Sequence, residues 1–216
     1  MLSGNEGART YFDHVPRQWD AIYSHENRLM YALNRLLRKG IFERHELTFG
    51  KCGDIPGASV LDLGCGTGRY SVEFARRGAS TVLGVDFAPS MVEFSRRIAR
   101  DMGVADRCEF ICGDVLTVPT DQPFDIVAAL GLFDYLAEPE QLIKRISCLT
   151  SRVFVASFPS YGFLGRLQRR IRYGWIKKCS VHHYSRARLQ ELFSPSFPSF
   201  EIVPITSGFF VAAKKR

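Results

Sequence analysis

Residues 60–70 read VLDLGCGTGRY. The run Val60-Leu61-Asp62-Leu63 is apolar except for its acid, and with Ser59 it has the length of a short strand buried in a sheet. Glycines then stand at 64, 66 and 68. Glycine adopts backbone angles barred to other residues and lets the main chain approach a ligand closely. Arg69–Arg77 reads as a helix stopped by Gly78.

Working outward, TVLGVD (81–86) is a second strand, and Ala88-Pro89-Ser90 opens a helix with proline suited to its first turn. CEFICGD (108–114) and FDIVAAL (124–130) are the third and fourth strands. Glu138–Leu149 is helical, RVFVASF (152–158) is the fifth strand, and SRARLQELF (185–193) the last helix. FEIVPI (200–205) and SGFFVAAKK (207–215) are joined by a turn too short for a crossover, so they form an antiparallel hairpin. Strands alternating with helices predict an α/β three-layer sandwich with a seven-stranded, mostly parallel sheet and helices on both faces.

In such a sheet, ligands bind beyond the carboxyl ends of the strands where the strand order reverses. A carboxylate at Asp62 repels phosphate and attracts an ammonium group or cation. A dinucleotide site has the spacing G-x-G-x-x-G; here the third glycine comes one residue early and position 69 is Arg. The loop therefore suits a ligand with a positive amine and no phosphate.

The chain has 216 residues, enough for one domain with a lid or extension, and its 46% apolar content excludes a disordered chain. No apolar run approaches the roughly 20 residues that span a bilayer. MLSGNEGARTYFDHV lacks an apolar signal core, so a cytoplasmic location is expected. The six cysteines, Cys52, Cys65, Cys108, Cys112, Cys148 and Cys179, form no C-x-x-C pair and read as small buried thiols with no metal site.

The net charge of +7 is concentrated. Between Gln141 and Gln190 there are eleven Lys or Arg and no Asp or Glu, so the rest of the chain is net acidic. That locates the basic character on one surface.

VLDLGCGTGRY resembles the first motif of class I S-adenosylmethionine-dependent methyltransferases, and an acid ending the second strand with GD after the third agrees. The resemblance implies a Rossmann-like fold and S-adenosylmethionine as cofactor. It places Gly64, Cys65, Gly66 and Gly68 along the methionine part, with Asp62 near the amino group. Asp86 would accept both ribose hydroxyls, Phe87 and Met91 would flank the adenine, and Asp114 would take its amino group beside Val115. Leu130 and Gly131 would approach the sulfonium. Taken singly, Asp86 and Asp114 also fit turn or cap residues.

Residues 1–50 read as an N-terminal helical lid preceding the domain at 51–216. In residues 11–48, Leu29, Leu33, Leu36 and Leu37 form an apolar helical stripe, divided from a shorter helix near Pro16 and His25-Glu26-Asn27. YFDHVPRQWDAIY resembles the lid of the magnesium-protoporphyrin O-methyltransferase branch, as does the segment after the fifth strand. The resemblance implies a catalytic Tyr23. Where that branch has a second catalytic residue, His, this chain has Asp134, which can act as a base, orient an amine, or cap the next helix. His183, before the last helix, is a candidate base or a loop-surface residue. Tyr11 and Trp19 either close over the cofactor with Tyr23 or are packing aromatics.

The basic insertion, 159–184, carries Phe163, Leu164, Leu167, Ile171 and Trp175 at helical spacing, with Arg166, Arg169, Arg170 and Arg172 largely on the other side. It reads as a solvated lid, as a clamp for an anionic acceptor, or as a contact with an anionic membrane surface for a lipid-like acceptor. Nucleic acid is disfavoured, because base-stacking aromatics are not interleaved with the charges. The expected activity is methylation of a small or medium-sized metabolite, at oxygen before nitrogen; the alternative is a cofactor-binding interaction protein without turnover.

Overall fold

The strand predicted at Ser59 forms as β1 (Ser59–Leu63), and its alternation sets the layers of the molecule. Val60 turns to one core with Phe49, Phe74 and Ile98. Leu61 and Leu63 turn to the other with Leu142, Ile146 and Phe193. The computed structural model describes residues 39–118, 122–160 and 182–215.

The sheet further contains β2 (Thr81–Asp86), β3 (Cys108–Cys112), β4 (Phe124–Leu130), β5 (Thr150–Pro159), β6 (Ser199–Ile205) and β7 (Gly208–Lys214), in the order β3-β2-β1-β4-β5-β7-β6. The first five run parallel, and β7 is antiparallel to both β5 and β6. The closing hairpin thus inserts β7 between β5 and β6 and leaves β6 at the edge. The order reverses between β1 and β4, so the loops after these two strands flank the switch point.

Helices α1 (Lys39–Lys51), α2 (Arg69–Arg76) and α3 (Pro89–Asp101) supply residues to the first core, while α4 (Pro139–Leu149) and α5 (Arg186–Phe193) supply the second. In α3 the buried positions Met91, Phe94, Ser95 and Ile98 follow helical periodicity, and Pro89 occupies the first turn. Ser185 caps α5, its hydroxyl accepting from the Arg188 amide at 3.1 Å. An ion pair between Arg188 and Glu140 joins α5 to α4.

The expected boundary between a lid and the domain at 50/51 falls inside α1. That helix is packed on the sheet: Phe49 is buried 4.9 Å from Phe74, and Glu43 accepts from the Thr206 amide at 2.7 Å, holding the hairpin turn. Residues 1–38 and 161–181, with most of the expected lid and insertion, lie outside the described residues.

The cysteines correct the reading of uniformly buried thiols. Cys52 and Cys65 are buried, Cys108 is half-buried, and Cys112 and Cys148 are exposed; all five are free. Cys112 ends β3, an edge strand only five residues long, which leaves it uncovered. Among the described residues, no His, Cys, Asp or Glu cluster could hold a metal ion, and no helix is long and apolar enough to cross a membrane.

Candidate active site

The three glycines after β1 are all left-handed, with φ of +69° at Gly64, +54° at Gly66 and +74° at Gly68. The amides of Gly64 and Cys65 both donate to the Val85 carbonyl, at 2.8 and 3.0 Å, which ties the loop to β2. A Cβ at Gly68 would lie 2.8 Å from the Ser95 Cβ, so packing forbids a side chain there. At Gly66 a Cβ would meet nothing within 4 Å. Bare main chain at Gly66 therefore borders open space, as a cradle for a ligand requires. The Cys65 side chain goes the other way, into the core, where burial and the nearby Asp62 and Asp86 push its thiol pKa well up.

Asp86 ends β2 with both carboxylate oxygens engaged. Oδ2 accepts from the Gly66 amide at 2.8 Å and Oδ1 from the Ala88 amide at 2.9 Å. A carboxylate has about four acceptor sites, so these two bonds are compatible with further hydroxyl donors. Ser95 completes the clamp: its hydroxyl donates to the Gly66 carbonyl at 2.8 Å and lies 2.9 Å from the Met91 carbonyl. The signal for Ser95 in the sequence was slight, a small polar residue on the buried stripe of α3.

Asp62 has a partner within the fold. It is 2% exposed and accepts from the Ser71 hydroxyl at 2.6 Å, in the first turn of α2. Burial raises its pKa to about 6; the Ser71 hydrogen bonds oppose the rise and the Asp86 charge adds to it. A carboxylate at this place favours the partly positive N-terminus of α2. Its expected position beside a ligand ammonium stays a proposal.

The other expected cofactor residues come from the ends of β3 and β4. Gly113 donates its amide to the Asp86 carbonyl at 2.9 Å, which draws the β3 end to the β2 end. Asp114 accepts from the Leu116 amide at 2.9 Å and so caps the 3₁₀ turn Val115–Thr117. Met91, Val115 and Leu130 are buried and Phe87 is half-buried. Beyond β4, Leu132 lies 3.1 Å from where a Gly64 Cβ would stand, which closes β4 against the glycine loop. The four strand ends therefore meet at one edge of the sheet.

Arg44 of α1 reaches this edge and was not singled out from the sequence. Its Nε donates to the Tyr70 hydroxyl at 3.1 Å, and its guanidinium is 3.1 Å from a Gly131 Cβ position. No local pattern links residues 44, 70 and 131; the sheet brings them together.

Asp134 sits in the 3₁₀ turn Phe133–Tyr135, half-buried, just past the end of β4. Helix α4 has Glu138 at its N-cap position, so Asp134 does not occupy the cap. The segment before α5 passes beside it, with the His182 amide donating to the Asp134 carbonyl at 3.0 Å. His183 is exposed and His182 half-buried. Tyr23, Tyr11 and Trp19 lie outside the described residues.

Comparison with known proteins agrees with this geometry. Residues 60–151 match the family described as a methyltransferase domain. A 97-residue stretch is 34% identical to the ribosomal protein L11 methyltransferase of Serratia proteamaculans (strain 568); it covers 44% of this chain and 31% of that protein. The chain thus spans about a third of the length of the curated relatives it matches. Over almost the whole of both chains (97% and 98%), the fold superposes on the magnesium protoporphyrin IX methyltransferase of Synechocystis PCC 6803 with bound S-adenosylhomocysteine, at TM-score 0.71 and 19% identity. It likewise superposes on DhpI in complex with S-adenosylmethionine and HEP, at TM-score 0.67 and 18% identity over 99% and 98% of the two chains. The family match thus falls on the strands β1 to β4 and the loops after them, and the seven-stranded sheet around it has the fold of these solved methyltransferases. The methyltransferase resemblance read from VLDLGCGTGRY agrees with the family match, and the magnesium protoporphyrin IX methyltransferase shares the fold.

Proposed function

We propose that the chain binds S-adenosylmethionine at the glycine loop and methylates a small or medium-sized metabolite, at oxygen in preference to nitrogen. One observation carries the cofactor reading: Gly66 is held at its amide by Asp86 and at its carbonyl by Ser95, with open space over its α-carbon. When bound, the cofactor supplies a methyl group on a sulfonium whose leaving group is a neutral thioether. The chain's part is to orient and to exclude water. In this reading Asp86 holds the ribose hydroxyls, while Phe87, Met91 and Val115 wall the adenine and Asp114 meets its amino group. The Gly64–Gly66 main chain lies along the amino-acid portion.

The preference for oxygen rests on the branch resemblance of the flanking segments and on a carboxylate, Asp134, just beyond β4. A carboxylate there suits removal of a hydroxyl proton as the methyl is transferred. Tyr23 and His183 stay candidates for the same task. The six cations between 166 and 178 favour an anionic or lipid-like acceptor.

Calorimetry with S-adenosylhomocysteine, with NADH as control, tests the cofactor. Release of S-adenosylhomocysteine from S-adenosylmethionine, assayed across hydroxyl, carboxyl and amine acceptors, then tests turnover. No heat with S-adenosylhomocysteine and clean binding of NADH would sink the proposal. Cofactor binding without turnover on any acceptor would instead point to an interaction protein.

A further inference from the structure

The turn beyond β4 is held by a second piece of chain. Tyr184 is 5% exposed, and its hydroxyl lies 3.3 Å from the Phe133 carbonyl and 3.2 Å from the Leu136 carbonyl. The His182 amide donates to the carbonyl between them, that of Asp134, at 3.0 Å. The Tyr184 amide donates to the Pro159 carbonyl at 3.0 Å, fixing this strap to the end of β5. Its ring stands edge-on to Phe158 at 5.1 Å, and Phe158 stacks on Phe133 at 4.4 Å. One amide from 182–184 thus serves the carbonyl of residue 134, and one hydroxyl is shared between those of 133 and 136. A buried carbonyl left without a donor is costly, so the turn and the strap keep one relative position. Burial raises the Tyr184 phenol to about 12, with Asp134 and Glu140 adding to the rise, so it stays a donor throughout the neutral range.

We propose that Tyr184 is a positioning residue: with the His182 amide it fixes the turn that carries Asp134, so that residues 182–184 set the place of Asp134 on the acceptor side of the site. The link to the acceptor rests on the function proposed above; the latch itself does not.

The test is Tyr184→Phe in the full chain, which keeps the ring and removes the hydroxyl. Loss of this one hydrogen-bonding group is expected to speed amide exchange at Tyr135 and His182 by about fivefold. Amides of β4 stay unchanged, and S-adenosylhomocysteine affinity stays within about twofold because the glycine loop is untouched. The carbon-13 resonance of the Asp134 carboxyl is expected to shift, which loss of ring packing would not cause, since Phe retains it. Unchanged exchange at 135 and 182, or an equal rise throughout β5 and α5, overturns the latch. Failure of the wild-type chain to bind S-adenosylhomocysteine would count against the methyltransferase reading, while the exchange data would still decide the latch.

Discussion

The Gly66 amide donates to Asp86 Oδ2 across 2.8 Å, joining the tip of the glycine loop to the end of the neighbouring strand. One carboxylate therefore shapes the loop and, in the proposed function, receives the ribose. Asp86→Ala removes both tasks. Hydrogen bonds to charged groups contribute about 1.5–3 kcal/mol each, so loss of two is expected to lower S-adenosylhomocysteine affinity by at least about 100-fold. Asp86→Asn retains one acceptor oxygen and is expected to fall between the two. Titration calorimetry of the three proteins checks this; equal affinity in all would remove Asp86 from the site.

Two glycines in the same loop separate folding from binding. Gly68→Ala meets both an unfavourable φ and a 2.8 Å contact with the Ser95 Cβ. Strain and overpacking together are expected to cost about 2–4 kcal/mol in urea denaturation. Gly66→Ala meets no atom within 4 Å, so only its φ of +54° counts against it, at about 1 kcal/mol. Its methyl group would enter the proposed cradle, so S-adenosylhomocysteine binding is expected to fall well beyond the loss in stability. If Gly66→Ala binds like the wild type, the cofactor lies elsewhere.

Asp62 makes stability depend on pH. Its folded pKa, about 6, lies above the unfolded value near 4, so the native state binds more protons between these limits. The contribution is fully present below about pH 4 and is lost as pH rises through about 6, for a total of no more than about 3 kcal/mol. Asp62→Asn is expected to flatten that part of the stability curve, measured by urea unfolding between pH 4 and 8. An identical slope in the variant would mean that Asp62 is not the titrating group.

Residues 59–86 show how far local pattern reaches. The strand, the glycine turn and the helix stop at Gly78 all depend on neighbours within a few positions, and each forms where the pattern puts it. The hairpin was equally legible, because its turn allows only one pairing; its insertion beside β5 was not, since that depends on the packing of β7 against β5. Asp62 illustrates the limit at the site. Its charge pointed to an ammonium ligand, but its described partner is Ser71, a choice made by burial. Arg44 and Tyr184 carried no readable signal, because their partners lie 26 to 113 residues away in sequence.

The exposed thiols offer a footprint of the adenine side. Cys112 lies at the end of β3 with its sulfur 3.6 Å from the Phe87 carbonyl, while Cys148 is exposed on α4, which packs on the opposite face. Burial drives Cys52 up to about 12 and Cys65 well up, so both resist alkylation at neutral pH. Site-resolved mass spectrometry after brief iodoacetamide treatment is expected to show Cys112 and Cys148 labelled ahead of Cys52 and Cys65. Saturating S-adenosylhomocysteine is expected to slow Cys112 and leave Cys148 at its original rate, because a ligand wedged beside Phe87 covers only the first. Slowing of both would indicate a general tightening of the fold, and slowing of neither would move the adenine away from Phe87.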